Sequence, residues 1–276
     1  MSDDVLPAAV LPRAVFVTGA SSGIGRAIAL MLGRRGSGVA VGYHGGKERA
    51  AAVVEKIEAA GGRALAVQGD MSREEDVGRS FDEATEALGP LDGCVVNAGL
   101  QADAAFRDMT LEDWRKAMAL DLDGAFLCAR EFVRRLPEER AEDGGAPRNG
   151  GARGALVFVS SVHQFVPWAG HANYAAAKGG VGMLMRSLAQ ELAAEGVRAN
   201  AVAPGAIRTA INEDVWKDDA ARARLLELIP QNRLGEADEV AEAVLWLLSG
   251  ASAYVTGHTL TIDGGMALYP GFVGNG

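Results

Sequence analysis

Short apolar runs rich in β-branched residues alternate along the chain with longer amphipathic stretches. The runs at residues 14–17, 38–41, 64–67, 93–97, 155–159, 197–202 and 259–262 read as strands. The stretches at 24–35, 47–60, 73–88, 111–136, 174–195 and 240–248 read as helices. Val53, Val54 and Ile57 fall on one face of the second helix, and Val77, Phe81 and Leu88 along one stripe of the third. Within the strands the apolar residues are continuous and do not alternate with polar ones, so both sheet faces must be covered. Strand and helix in regular alternation then predict an α/β fold. It is a single doubly wound (Rossmann) domain with a seven-stranded parallel sheet and helices on both faces.

No repeat unit or composition break interrupts the pattern. One domain over residues 1–276 is therefore expected, although at roughly 150 residues per domain the length alone would allow two. Residues 137–154, rich in Gly, Glu and Arg, read as a surface insertion. Residues 205–233 read as a substrate-side loop with helices, and 266–276 as a C-terminal tail.

Composition narrows the partners. Lys+Arg 27 against Asp+Glu 36 leave a net charge of −9, and no Lys/Arg stripe is present, which argues against nucleic acid and anionic membranes. No apolar run approaches the ~18 residues of a membrane span, and the acidic N-terminus lacks a basic leader, so a cytoplasmic protein is expected. Cys94 and Cys128 sit in apolar stretches and read as reduced core thiols. The four histidines lack metal-ligand spacing, and no metal is expected.

The candidate chemistry begins where the first strand runs through Thr18-Gly19-Ala20-Ser21-Ser22-Gly23-Ile24-Gly25 directly into a helix. A helix N-terminus presents free N–H groups that favour phosphate, and glycines let the backbone approach it. The spacing is GxxxGxG, which on its own also suits a plain glycine turn. Further along, Tyr174 and Lys178 are four apart on one helix and share a face. A phenol titrates near pH ~10, and an adjacent ammonium favours its phenolate, which suits Tyr174 to act as general acid/base.

The glycine turn, Asn97-Ala98-Gly99, Ser161, Tyr174-Ala-Ala-Ala-Lys178 and Pro204-Gly205 run in this order over residues 13 to 265. Together they resemble the short-chain dehydrogenase/reductase family. The resemblance implies a nicotinamide dinucleotide across the C-terminal edge of the sheet. Gly19, Ser21, Ser22, Gly23, Ile24 and Gly25 would hold the pyrophosphate, Asp70 and Met71 the adenine, and Asn97, Ala98 and Gly99 the adenosine side. Pro204, Gly205, Ile207 and Thr209 would meet the nicotinamide. Lys178 would hold the nicotinamide ribose, and Ser161 the substrate oxygen. NAD enzymes carry an acid ~20 residues past the glycines. Here Tyr43-His44-Gly45-Gly46-Lys47 takes that place, which favours NADP, with NAD tolerated. His44 or Lys47 would attract the 2′-phosphate, and Lys47 also suits a solvated first turn. One departure is Asp121, which replaces the family's usual asparagine in Asp121-Leu122-Asp123-Gly124 and places a second charge near Lys178.

Ser160-Ser161-Val162-His163, Pro167-Trp168, residues 204–212 and Asp263-Gly264-Gly265-Met266 resemble the glucose 1-dehydrogenase branch of the family. That implies oxidation of an aldose to a lactone, with Gln101, Ser161, His163 and Asn212 at the substrate. Gln101 stands where that branch commonly carries an acid, which leaves the sugar open. His163 also suits a structural role, Trp168 a pocket wall or the core, His258 a structural place, and His171 receives no role. The alternatives are reduction of a ketone or 3-oxoacyl thioester, and a non-catalytic dinucleotide sensor, which the retained Tyr/Lys pair disfavours. Val181, Met183, Leu184, Leu188 and Leu192 give the 174–195 helix more apolar surface than one sheet face needs. Relatives bury such helices between subunits, so a homotetramer is implied. Residues 269–276 would fray or line a neighbouring subunit's pocket.

Overall fold

The computed structural model describes residues 10–137, 152–209 and 216–268. The expected insertion over most of its length, Asn212 and the end of the tail lie outside the described residues.

The elements are β1 (Ala14–Val17), α1 (Gly23–Arg34), β2 (Gly38–Tyr43), α2 (Lys47–Ala59), β3 (Arg63–Gln68), α3 (Glu74–Leu88) and β4 (Gly93–Val96). Then come α4 (Leu111–Met118), α5 (Gly124–Arg134), β5 (Gly154–Val159), α6 (Ala172–Leu192), β6 (Val197–Pro204), α7 (Asp219–Leu226), α8 (Ala237–Leu248) and β7 (Thr259–Ile262). The strands form one sheet in the order β3-β2-β1-β4-β5-β6-β7. Every neighbouring pair is parallel. Chain direction across the sheet reverses between β1 and β4, and the crevice beyond their carboxyl ends is where such sheets receive ligands.

Both sheet faces are apolar, for the reason the continuous runs suggested. Ala14 and Phe16 of β1 point into one core with Phe81, Phe132, Phe158 and Met185. Val15 and Val17 point into the other with Ile28, Leu32, Ile57, Leu245 and Leu248. Phe16 and Phe81 meet with ring centroids 4.8 Å apart, which fixes α3 against the sheet.

Two helical expectations are corrected. The stretch 111–136 is not one α-helix: a π-helical turn, Ala119–Asp123, separates α4 from α5. Gly124 follows this turn, and a Cβ there would lie 2.8 Å from the Met71 carbonyl oxygen, so α5 packs directly onto the loop after β3. The extra residue of the turn carries Asp121 inward, where it is 2% exposed. The helix expected at 174–195 starts earlier, at Ala172, and its last residues tighten into a 3₁₀ turn, Ala193–Glu195.

Candidate active site

At the end of β1 the chain turns through Gly19 (φ +63°) and Gly23 (φ +54°), left-handed values open to glycine. A Cβ at Gly25 would lie 2.5 Å from the Gly19 carbonyl oxygen and would also collide with the Asn97 amide. Asn97 braces the turn by donating from Nδ2 to the carbonyls of Thr18 (2.9 Å) and Gly19 (3.2 Å). Thr18 returns the contact, its Oγ1 accepting from the N–H groups of Asn97 and Ala98, each at 2.9 Å. Sequence reasoning gave Thr18 no role of its own; its place between two strand ends appears only once β1 and β4 are paired. No acidic residue occupies the first turn of α1, and no side chain caps it. The N–H groups there and the glycine backbone fit a pyrophosphate.

At the end of β2, Tyr43 is buried, and the His44 carbonyl accepts from Gln68 Nε2 at 3.2 Å. Tyr43 and His44 line the main cavity and Lys47 does not. The cation that folds back over this loop is Arg49, whose guanidinium occupies the space a Cβ at Gly46 would need. Asp70 Oδ1 accepts from the Ser72 backbone N–H at 2.9 Å and from its hydroxyl at 2.6 Å. Burial raises the Asp70 pKa, but these bonds and the charge of His44 outweigh it and leave the carboxyl below its ordinary range.

Nearly two turns into α6, the Lys178 ammonium lies 5.4 Å from the centre of the Tyr174 ring. Lys178 is 5% exposed, and its Nζ is 2.9 Å from Asp121 Oδ1. Asp121 Oδ2 accepts from the Leu100 N–H at 3.0 Å. Gly99 makes room for the pair, since a Cβ there would sit 2.6 Å from Asp121 Oδ1. Burial alone would push the Lys178 pKa down, but the charge of Asp121, with a contribution from Tyr174, outweighs it and holds it above the ordinary lysine value. Asn173, also missed from the sequence, fastens this helix start. Its Nδ2 donates to the Ala102 and Asp113 carbonyls at 2.9 and 3.1 Å, and its Oδ1 accepts from the Tyr174 N–H at 2.8 Å.

Beyond β5, Ser161 is buried and its Oγ accepts from the His163 N–H at 3.2 Å, which leaves the hydroxyl proton for another acceptor. His163 Nδ1 lies 3.0 Å from the Val166 carbonyl oxygen. That oxygen only accepts, so Nδ1 carries the proton and Nε2 is left as an acceptor. Burial pushes the His163 pKa below its ordinary value, opposed only in part by the Val166 bond. Trp168 stacks on His163 with centroids 4.3 Å apart, and Tyr174 meets both rings edge-on, at 6.4 and 6.5 Å. From the other side, Gly205 N donates to Ile262 O at 3.0 Å. The Thr209 methyl lies 3.6 Å from where a Cβ at Gly23 would stand, which closes this loop over the glycine turn.

These groups surround one cavity of about 1810 Å³, larger than the 300–1,000 Å³ or so of an ordinary small-molecule pocket. Every catalytic, cofactor or substrate residue singled out from the sequence within the described region lines it, except Lys47 and Gly25, the latter supporting the turn from behind. Trp168, Leu225, Leu228 and Leu268 give its lining an apolar share.

A family model described as enoyl-(acyl carrier protein) reductase matches residues 19–267. The 3beta-hydroxysteroid dehydrogenase 1 of Eggerthella lenta is 40% identical over 260 residues, covering 94% of this chain and 95% of that protein. The glucose 1-dehydrogenase of Gluconobacter oxydans is 41% identical over 266 residues, covering 95% of each. Among solved structures, a gluconate 5-dehydrogenase from Burkholderia cenocepacia, in complex with NADP and tartrate, superposes with a TM-score of 0.82 at 30% identity. It covers 93% of this chain and 95% of that one.

Proposed function

The chain belongs to the short-chain dehydrogenase/reductase family, and from that premise we propose that it oxidises a sugar hydroxyl, aldose to lactone, with Tyr174 as general base. The observation that carries the reading is the meeting of Tyr174, Lys178 and Ser161 in the cavity that begins at the glycine turn. Ser161 Oγ donates to the substrate oxygen and orients it. Tyr174 Oη then takes the hydroxyl proton. The Lys178 ammonium stabilises the phenolate electrostatically, and Asp121 keeps that ammonium charged. His163 Nε2 and Gln101 accept from and donate to further hydroxyls of the substrate.

The cofactor is NAD(P), which supplies a hydride acceptor when bound. Gly19, Gly23 and the first turn of α1 would hold its pyrophosphate, and Asp70 its adenine. NADP is the preferred form, because the end of β2 carries no carboxylate and Arg49 folds back there. The protein would act in the cytoplasm as a homotetramer. No helix among the described residues is long and apolar enough to cross a membrane.

A second reading is an apolar alicyclic secondary alcohol, in either direction of reaction. It is favoured by the rim of the cavity, where Trp168, Leu228 and Leu268 are 38%, 59% and 74% exposed.

A rate panel decides between them: D-glucose, other aldoses, and sterol-like alcohols, each against NADP and NAD. Aldose turnover with NADP is expected, and turnover confined to the apolar alcohols would transfer the conclusion to the second reading. Replacing Tyr174 with Phe should lower kcat by about 10²–10⁴-fold, the usual contribution of a positioned acid/base. A Tyr174→Phe enzyme running near the parent rate would remove the proposed proton path.

A further inference from the structure

His171, which flanks the start of α6, takes no part in the proton path or the cofactor cradle. Its Nδ1 lies 3.1 Å from the Ala169 carbonyl oxygen and its Nε2 3.1 Å from Asp103 Oδ1. Both partners only accept, while a neutral imidazole has a single N–H, so both contacts are hydrogen bonds only in the imidazolium form. The ring lies flat on the Trp168 indole, with centroids 3.4 Å apart and planes 5° apart, a cation–π arrangement when the imidazole is charged. The same indole stacks on His163. The two loops are also joined through their backbones, Ala104 N donating to Gly170 O at 3.0 Å.

The surrounding charges bear on this clamp. The N-terminal end of α6 disfavours a cation beside it, and Asp103, from the loop before α4, supplies the opposing charge. His163, held neutral by burial, adds no competing charge near pH 7. Tyr174 on α6, Lys116 on α4 and Glu227, just after α7, line the same cavity. The His171 side chain is 13% exposed and that of Asp103 51%, so the clamp spans the boundary between pocket wall and solvent.

We propose that His171 and Asp103 are positioning residues: their ion pair pins Trp168, and Trp168 holds the His163 ring against the substrate beside Tyr174. Binding is then tighter when His171 carries its proton. Breaking the ion pair raises KM, while kcat, set by Ser161, Tyr174 and Lys178, changes less.

The kinetic part of this proposal rests on the acid/base reading of Tyr174; a fluorescence arm does not. An imidazolium in contact with an indole quenches its emission. The signal of Trp168, taken as the difference between the parent protein and Trp168→Phe, should be stronger in the His171→Gln background, where the stacked ring is gone, than in the parent. Asp103→Asn, which leaves the ring unpinned, should change the signal in the same direction as His171→Gln. In Asp103→Asn, KM for the best substrate of the panel should rise about two- to fivefold, the scale of a half-exposed ion pair, with a smaller change in kcat. A Trp168 signal that His171→Gln leaves unchanged overturns the clamp. A loss of kcat equal to the rise in KM overturns the positioning role even if the clamp exists.

Discussion

Asp121 is the residue whose effect on the chemistry is most open to measurement. It is 2% exposed, and its carboxylate sits 2.9 Å from the Lys178 ammonium. Burial works to neutralise Lys178, and Asp121 is the largest influence opposing it. Removing that charge in Asp121→Asn leaves burial dominant, so the lysine would lose its proton at lower pH. The sign follows from the raised value: the protonated form is retained to higher pH in the parent. The alkaline limb of the kcat/KM profile should therefore move to lower pH in Asp121→Asn, and an unmoved limb would mean the carboxylate is electrostatically silent. Tyr174, Lys178 and Ser161 were legible as a group, because two lie on one helix face and all three stand in one recognisable order. The atom-level roles were not. That His163 Nδ1 is occupied and Nε2 left as an acceptor depends on the Val166 carbonyl, whose direction is set by the fold of a loop.

At the scale of elements, regular periodicity located most helices but could not reveal α7. Asp219–Leu226 has no buried residue and no apolar stripe; its start is marked only by Asp218 Oδ1, which accepts from the Ala221 N–H at 2.6 Å. The π-helical turn was hidden for a different reason: one inserted residue changes the face on which Asp121 lies without changing local composition. The junction of β6 and α8 carries its own prediction. Arg198, 5% exposed, donates through Nη1 to the Leu247 carbonyl (2.7 Å) and Ser252 Oγ (2.9 Å). Its Nη2 donates to the Leu248 and Ser249 carbonyls at 3.2 and 3.1 Å. It thereby satisfies carbonyls that the end of a helix leaves open, and burial lowers its pKa from the usual value to about 10. Arg198→Met should destabilise the protein by roughly 2–4 kcal/mol, because buried acceptors lose their donors. Urea unfolding would read this as a lower midpoint at unchanged slope, and a shift under about 0.5 kcal/mol would mean that water replaces the guanidinium.

At the scale of the whole molecule, the apolar residues left outside the two cores bear on assembly. Leu111, Phe126 and Met183, on α4, α5 and α6, are 60%, 44% and 60% exposed. We propose that these side chains are buried between subunits of a homotetramer. Met183→Glu would place a charge there, and light scattering should then report a smaller species than the parent. A monomeric parent, or a variant of unchanged mass, would remove the assembly proposal.

The succession of strands, the covered sheet and the glycine turn were determined by the chain alone, since each follows from local patterning. A continuous apolar run needs cover on both faces, and a left-handed turn needs glycine. Tertiary structure decided which distant side chains meet. Asp121 reaches Lys178 because a π-helical turn rotates it inward. Asp103, Trp168 and His171 meet because two loops share the edge of one sheet. Such encounters depend on packing geometry over distances that no sequence period spans.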